Sequence, residues 1–443
     1  MGYKLNILSP VHIGCGESYN AVSYLLDKRH KPERLAVFDE RAIFDALDGK
    51  QKVQFVRWIE GEEWPNLFNF MRNVIRDENF KLSNQIQKKA NYVIPNLAGN
   101  ERLKDINVFI KQMESPFIPG TEVKGAIRTA LLNCALQDDM NIQEWLNKAL
   151  SDFQRRNARD IDSVKNIPNP RTDVKKRLAE QMAKIAEELE EEVLTCKRDA
   201  KYDVMKFVQI GDSALLEASS VLAVSYVKPF NMTGRAFSIF YEYLRPDTLV
   251  PLTSFKLEDD KSRDVKLKQM EFTERHKQLM SGLDSVLSCC HRFTADLLAE
   301  EIAFFTKHSK LNIVEHLRKI EKLNAPKGPV LRIGKDEGYT SLTVGLAVKK
   351  LMPELYENVL IHATKNKSYD FSITKDNFYF PKSRKIVHWE GQELTAGWVQ
   401  LIPPLTDQPT ANASQKKPET VQSKPGAPVD LSELADKFSR GRH

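Results

Sequence analysis

The chain has 443 residues, 28% of them charged and 41% apolar, with 66 Lys and Arg against 60 Asp and Glu. That length supports one large domain or two to three ordinary ones with a sizeable core. The composition excludes a disordered or collagen-like chain, no stretch approaches the ~20 consecutive apolar residues of a spanning helix, and a net charge of only +6 permits a local basic patch without demanding one.

The opening residues Met1-Gly2-Tyr3-Lys4-Leu5-Asn6 carry no long apolar segment, so a soluble, cytoplasmic protein with no membrane partner is expected. Tyr3 to Leu8 reads as a strand, after which Pro10, Gly14 and Gly16 are expected to stop regular structure. Further strands are predicted over 21–27 and 34–39, then a helix capped by Asp39. Residues 50–82 read as helical, with Trp58, Phe68, Phe70 and Met71 buried, and 83–115 as loop with short elements. An amphipathic helix runs from Thr121 to about Gln137, its apolar Val123, Ala126, Ile127, Ala130, Leu131 and Cys134 recurring at three and four residues.

From 141 to 202 the chain reads as a charged helical insertion, with Leu178, Met182, Ile185 and Leu189 on its buried stripe. Strands are predicted again at 204–210, 221–228 and 236–243, and long helices within 262–281 and 284–322. Residues 341–362 read as mostly helical, and Gly397 to Ile402 as the last strand. The tail from Pro403 reads as disordered, with one short amphipathic helix possible around Leu431 to Phe438. The five cysteines, at 15, 134, 196, 289 and 290, form no C-x-x-C pair, against a disulfide framework or zinc knuckle. Cys289-Cys290-His291 reads as a buried helix turn, since neighbours on a helix point in different directions. The order of elements fits α+β, with parts at 1–138, 139–203 (the insertion), 204–402 and 403–443.

Three segments combine glycine with basic residues. In Ile118-Pro119-Gly120-Thr121-Glu122-Val123-Lys124-Gly125-Ala126-Ile127-Arg128, Thr121 is a good N-cap, and Lys124 in the first turn opposes the helix dipole. An anion at the helix start would remove that conflict, with Arg128 one turn further along. Gly125 inside the helix costs about 1 kcal/mol against Ala, which implies close packing there. An ordinary helix with two solvated basic residues and a packing glycine fits the same residues. The second segment, His12-Ile13-Gly14-Cys15-Gly16, could turn backbone N–H groups toward an anion, and His12 could act on a ligand or sit in the core. The third is Arg332-Ile333-Gly334-Lys335 with Gly338. No Walker A pattern occurs, so ATP hydrolysis has no support. Three such loops fit a surface that binds a nucleic-acid backbone.

The run Ser9-Pro10-Val11-His12-Ile13-Gly14-x-Gly16, then Phe117-Ile118-Pro119-Gly120-Thr121-x-x-Lys124-Gly125-x-x-Arg128, then the late glycine loop, resembles the RAMP superfamily of CRISPR-associated proteins. The insertion, Gln209-Ile210-Gly211-Asp212-Ser213 and the closing Gly397-Trp398 resemble one branch, the Csm subunit at the head of type III-A effector complexes. The resemblance spans roughly residues 1–402. It implies an RRM-like (ferredoxin-like) core with a helical insertion and additional helices, binding CRISPR guide RNA toward its 3′ end. It also implies other Csm subunits as partners, with cellular nucleases as further possible ones, and a role in crRNA maturation. No cofactor or metal is expected. In related backbone subunits a loop aspartate cleaves target RNA; Asp27 lies at a loosely comparable place but reads as a turn cap. A non-catalytic subunit is therefore expected, with an endoribonuclease using His12 or Asp27, or a protein-bridging scaffold, as the alternatives.

Overall fold

The computed structural model describes residues 2–404 apart from 64, 78, 167–171, 198, 231–236, 365–379 and 382. In chain order its principal strands begin with β1 (Lys4–Ile7), β2 (Gly14–Tyr19), β3 (Tyr24–Asp27), β4 (Glu33–Val37), β5 (Tyr92–Asn96) and β6 (Ile106–Phe109). They continue with β7 (Leu222–Phe230), β8 (Ile239–Leu244), β9 (Leu249–Pro251), β10 (Val330–Arg332), β11 (Arg384–Trp389), β12 (Gln392–Leu394) and β13 (Trp398–Ile402). The main helices are α1 (Glu40–Ala46), α2 (Gly49–Gly61), α3 (Lys81–Gln87), α4 (Gly120–Asp138) and α5 (Met140–Arg156). After them come α6 (Ala158–Asn166), α7 (Thr172–Leu194), α8 (Leu283–Lys307) and α9 (Leu311–Leu323).

Alternation in β1 buries Leu5 and Ile7 completely, and this strand joins distant parts of the chain. It pairs antiparallel with β9 on one side and β13 on the other, and β10 adds to β13, giving the order β9-β1-β13-β10. Helices α4 and α8 pack on one another and on β10, and their apolar stripes, including Val123, Ile127, Leu131, Leu297 and Leu298, share one core with β1 and β13. A larger sheet has the path β2-β6-β8-β7-β5-β4-β3, with β11 also paired to β7 and β12 to β11. Its β3–β4 end covers a separate core of Ile43, Phe55, Leu67, Phe70 and Ile86 from the helical segments of residues 40–87. Insertion helix α7 buries Leu178, Met182, Ile185 and Leu189, as its periodicity predicts.

Several expectations need correction. Gly14 does not end regular structure: it opens β2, which pairs with β6 through a register shift between Gly14 and Ser18. The 83–115 segment supplies β5 and β6, both interior to the larger sheet. Pro95 inside β5 argues against a strand by sequence rules, yet antiparallel pairing with all five residues of β4 holds it there. The helices predicted within 262–281 and 284–322 are each broken, at Met270–Thr273 and His308–Lys310. The strand predicted at 204–210 is a 3-10 turn followed by Val208–Ile210. Cys289 and Cys290 lie buried in α8. Most of the tail, 405–443, with the helix expected near Leu431, lies outside the described residues.

The two ends of the described chain are stitched by backbone. Lys335 N–H donates to the His12 carbonyl (2.7 Å), Ile333 N–H to Gly397 (2.8 Å) and Gly397 N–H to Pro10 (3.0 Å). Gly334 has φ +84°, and a Cβ there would lie 2.5 Å from the His12 carbonyl oxygen. Gly334→Ala is therefore expected to lose on the order of 3 kcal/mol in urea denaturation, from backbone strain plus overpacking. A Cβ on Gly125 meets open space, so Gly125→Ala is expected to gain about 1 kcal/mol in the same experiment.

Candidate functional site

The three glycine-and-base segments line one cleft of about 810 Å³. His12, Gly14 and Gly16 come from the loop into β2, Thr121, Gly125 and Arg128 from the start of α4, and Arg332, Gly334 and Lys335 from the end of β10. Gly120 and Lys124 do not line it. Asn107, Tyr241, Glu122 and Glu337 do, and no sequence signal singles out any of these four. The open space beside Gly125 contradicts the close packing expected there; its bare backbone faces the cleft instead.

The start of α4 is built differently from the sequence expectation. The N-cap is Pro119, not Thr121, and it offers no side-chain cap. The acceptor comes from elsewhere: Asp212 takes the Gly120 N–H at 2.8 Å, and Ser213 Oγ takes the Ile118 N–H at 2.9 Å. Gly120 is needed because a Cβ would lie 2.6 Å from the Ile210 carbonyl oxygen. With Asp212 at its end and Glu122 in its first turn, the helix dipole is already compensated, which offsets Lys124 without a bound anion.

The basic residues divide into two groups. Arg128 pairs with Glu190 of α7 and with Asp203 at 2.8 Å, tying α4 to the insertion. Arg332 is 5% exposed, donates to the Ala396 carbonyl at 3.0 Å, and lies over the Trp398 ring at 4.9 Å. It also faces the buried Glu301 at 3.4 Å, so it holds the fold together at the cleft wall. Lys335 is exposed, and among the described residues its ammonium makes no hydrogen bond or ion pair. Lys124 is half-buried, and burial lowers its pKa while nearby Asp203 partly opposes that.

His12 is 2% exposed, with its ring 4.5 Å from that of Tyr241. Its Nδ1 lies 2.7 Å from the Glu242 carbonyl oxygen. A carbonyl only accepts, so Nδ1 carries the proton and Nε2 the lone pair. Burial, with smaller pushes from Lys111 and Lys335, lowers the imidazole to about 4, so it is neutral at pH 7. Gly14 leaves Nε2 open, since a Cβ there would lie 3.1 Å from it. Burial raises the Glu122 carboxyl, with the nearby Gly334 backbone partly opposing it, and burial raises Glu337 to about 8. Among the described residues the cleft thus offers one free cation, a neutral imidazole acceptor, bare glycine backbone and, in Glu337, a carboxyl that can hold a proton. That set suits hydrogen bonding and phosphate contact. Among the described residues no group of three His, Cys, Asp or Glu is placed to hold a metal ion.

Asp27 lies in a different cavity. It accepts from Arg29 at N (3.0 Å), Nε (2.8 Å) and Nη2 (2.7 Å), and the Arg29 guanidinium holds its carboxyl at about 2. This is the turn-capping role read from the sequence.

Residues 4–305 match the RAMP superfamily, and the chain belongs to it. It is similar to the CRISPR system Cms protein Csm5 of Methanocaldococcus jannaschii, 24% identical over 78% of this chain and 72% of that one. It is also 28% identical to the Csm5 of Streptococcus thermophilus, over 34% of this chain and 42% of that one. A chain of a cryo-EM structure of a Csm–crRNA–target RNA ternary complex of a type III-A CRISPR-Cas system has a TM-score of 0.61 at 22% identity. It covers 90% of this chain and 100% of that one. The crystal structure of T. onnurineus Csm5 gives a TM-score of 0.61 at 19% identity, with 89% and 99% covered. The mixed α/β fold expected from the sequence is shared with these structures. Among the described residues no helix is long and apolar enough to cross a membrane.

Two titrations check the cleft electrostatics. A His whose folded pKa is lowered binds its proton more readily when unfolded, so His12 should withdraw stability as pH falls from ~6.5 toward 4. Its ring resonances in NMR should stay constant between pH 5 and 8. Glu337 has the opposite sense: its folded pKa is raised, so stability is lost as pH rises from ~4.5 through 8. Glu337→Gln should therefore melt higher than the parent at pH 8, with the gain vanishing near pH 5.

Proposed function

We propose that this RAMP-superfamily chain is the Csm5-like, non-catalytic subunit of a type III-A Csm complex. On this reading it grips guide RNA toward its 3′ end in the cleft where the three glycine loops meet. The observation that carries the reading is that convergence itself: segments more than 300 residues apart present bare backbone, Lys335 and the His12 acceptor to one concave space. Backbone N–H groups and a lysine contact phosphate without reading sequence. The Nε2 lone pair of a neutral imidazole repels a phosphate oxygen but accepts from a ribose 2′-hydroxyl, the group that separates RNA from DNA. The relatives' names and the type III-A complex support guide RNA and neighbouring Csm subunits as partners in the cytoplasm. Presenting the RNA end to cellular nucleases during maturation is part of the same proposal. We further read the β9-β1-β13-β10 sheet, with α4 and α8 against it, as the RRM-like core.

A non-catalytic role accords with His12 and Asp27. His12 is a neutral acceptor with Nδ1 already engaged, and Asp27 is neutralised by Arg29. General acid–base cleavage needs two groups in reach of one phosphate.

Lys335→Ala combined with Lys124→Ala should weaken binding of unrelated RNA sequences about equally. The slope of log affinity against log salt should fall by about 0.7 for each phosphate that the variant no longer neutralises. Arg128 is left intact because its removal would unpair two carboxylates. His12→Phe should leave overall RNA binding measurable but narrow the difference between an RNA and its 2′-deoxy counterpart. Fluorescence anisotropy over a salt series reads both; unchanged slope and unchanged discrimination would contradict the cleft assignment.

A further inference from the structure

A second concave surface, of about 560 Å³, lies at the β4–β5 part of the larger sheet. Lys31, Arg34 and Arg245 line it together with His30, and Glu390 is the carboxylate among its lining residues. Among the described residues none of the three long cations makes a side-chain hydrogen bond or ion pair. His30 lies 3.6 Å from Asp27, but that carboxylate is already taken by Arg29. The turn between β3 and β4 reads Asp27-Lys28-Arg29-His30-Lys31, so the concavity opens beside an exposed basic run.

Register relates this surface to the cleft. Arg34 stands opposite Pro95, Val224 opposite Asn96, Ser225 opposite Tyr241, and Tyr241 opposite Asn107. Residues directly paired across strands share a face, and next neighbours along a strand alternate. Arg34, Pro95, Leu97, Ser225, Tyr241 and Asn107 therefore lie on one face. The cleft uses Tyr241 and Asn107, and the second surface uses Arg34 and Pro95. From β6 to β4 is four steps along the sheet, roughly 19 Å at ~4.8 Å per strand. The β11–β12 hairpin extends this sheet beside β7, with Val387 opposite Val227 and with Val387 and Trp389 in one apolar cluster with Val227 and Tyr243, and its Glu390 turn edges the second surface.

We propose that the concavity of Lys31, Arg34 and Arg245 is a second phosphodiester-binding site, engaging a segment of single-stranded RNA separate from the one in the cleft. Two arginines with unoccupied planar forks are suited to bidentate contact with phosphate oxygens. The apolar floor around Pro95 gives a sugar or base a surface to rest on. The choice of RNA as the polyanion rests on the function proposed above; the existence of an anion site does not.

The test uses the full chain with Arg34→Gln and Arg245→Gln together, beside Lys124→Ala with Lys335→Ala, each checked for an unchanged thermal melt. Binding of uridine-rich RNAs of about 6 and about 30 nucleotides is measured over a salt series. The arginine pair should leave the short RNA unchanged if it occupies the cleft, weaken the long RNA, and lower its salt slope by about 1.4, two phosphates at ~0.7 each. If the arginine variant alone weakens RNA binding and the lysine variant does nothing, this site stands and the cleft reading falls. Unchanged affinity and slope in the arginine variant would overturn the proposal, as would failure of the parent to bind either RNA. Should polyglutamate compete with the long RNA at equal charge concentration, and that competition vanish in the arginine variant, the site takes acidic protein segments and the RNA assignment is overturned. If the arginine variant melts early, Arg34→Lys with Arg245→Lys supplies the reading: charge retained without the fork should give an intermediate loss.

Discussion

At Gly334 a side chain would put a carbon 2.5 Å from the His12 carbonyl oxygen, and at Gly397 one would lie 2.6 Å from the Ile333 carbonyl oxygen. The loop after β10, the loop before β2 and the turn before β13 can therefore meet only as bare backbone. Hydrogen bonds then close what the glycines allow, from Lys335 to His12 and from Gly397 to Pro10. The rest of the cleft follows from that contact. His12 is held in place by the carbonyl of Glu242, and Lys335 is carried to the rim by the same loop that donates to His12. Glu122, in the first turn of α4, lines the same cleft as Gly334.

Buried charge sets which side chains remain available to a ligand. Arg332 and Arg384 both face Glu301, which is fully buried, and Lys111 is 2.5 Å from the equally buried Glu242. Removing one partner from such a pair leaves an uncompensated buried charge, so these cations are committed to the fold. Arg128 is committed in a milder, half-exposed form. What remains at the cleft, among the described residues, is one free lysine, a neutral imidazole, carboxyls and bare backbone. A surface of that kind tolerates any base sequence, as the proposed guide-RNA role requires.

The three glycine segments are legible in the sequence because glycine beside turn residues marks backbone that a side chain would obstruct. Helix α4 and the insertion helix are legible through periodicity. Where the cations point is not. Arg128 reads as a phosphate contact, or else a solvated residue, one turn beyond Lys124, and its partners lie 62 and 75 residues away. Arg332 beside Gly334 looks like a phosphate ligand until Trp398 and Glu301 are seen against it. The helix cap misleads for a similar reason: Thr121 is the best local candidate, while the carboxylate that serves is Asp212. Strand β5 is hidden by Pro95, whose missing N–H is tolerated within the pairing of β5 to β4. In each case the local chemistry is readable and a long-range partner decides the outcome.

The central claim is that RNA lies in the cleft between the glycine loops. Photo-crosslinking of 4-thiouridine-labelled RNA in the complex purified from native cells, followed by peptide mass spectrometry and sequencing of the attached RNA, tests it directly. The account predicts cross-links within peptides covering Gly14 to Tyr19 and Arg332 to Leu342, joined to CRISPR repeat–spacer RNA. Cross-links confined to the insertion helices α5 to α7, or an absence of RNA from complexes that otherwise contain the protein, would contradict it.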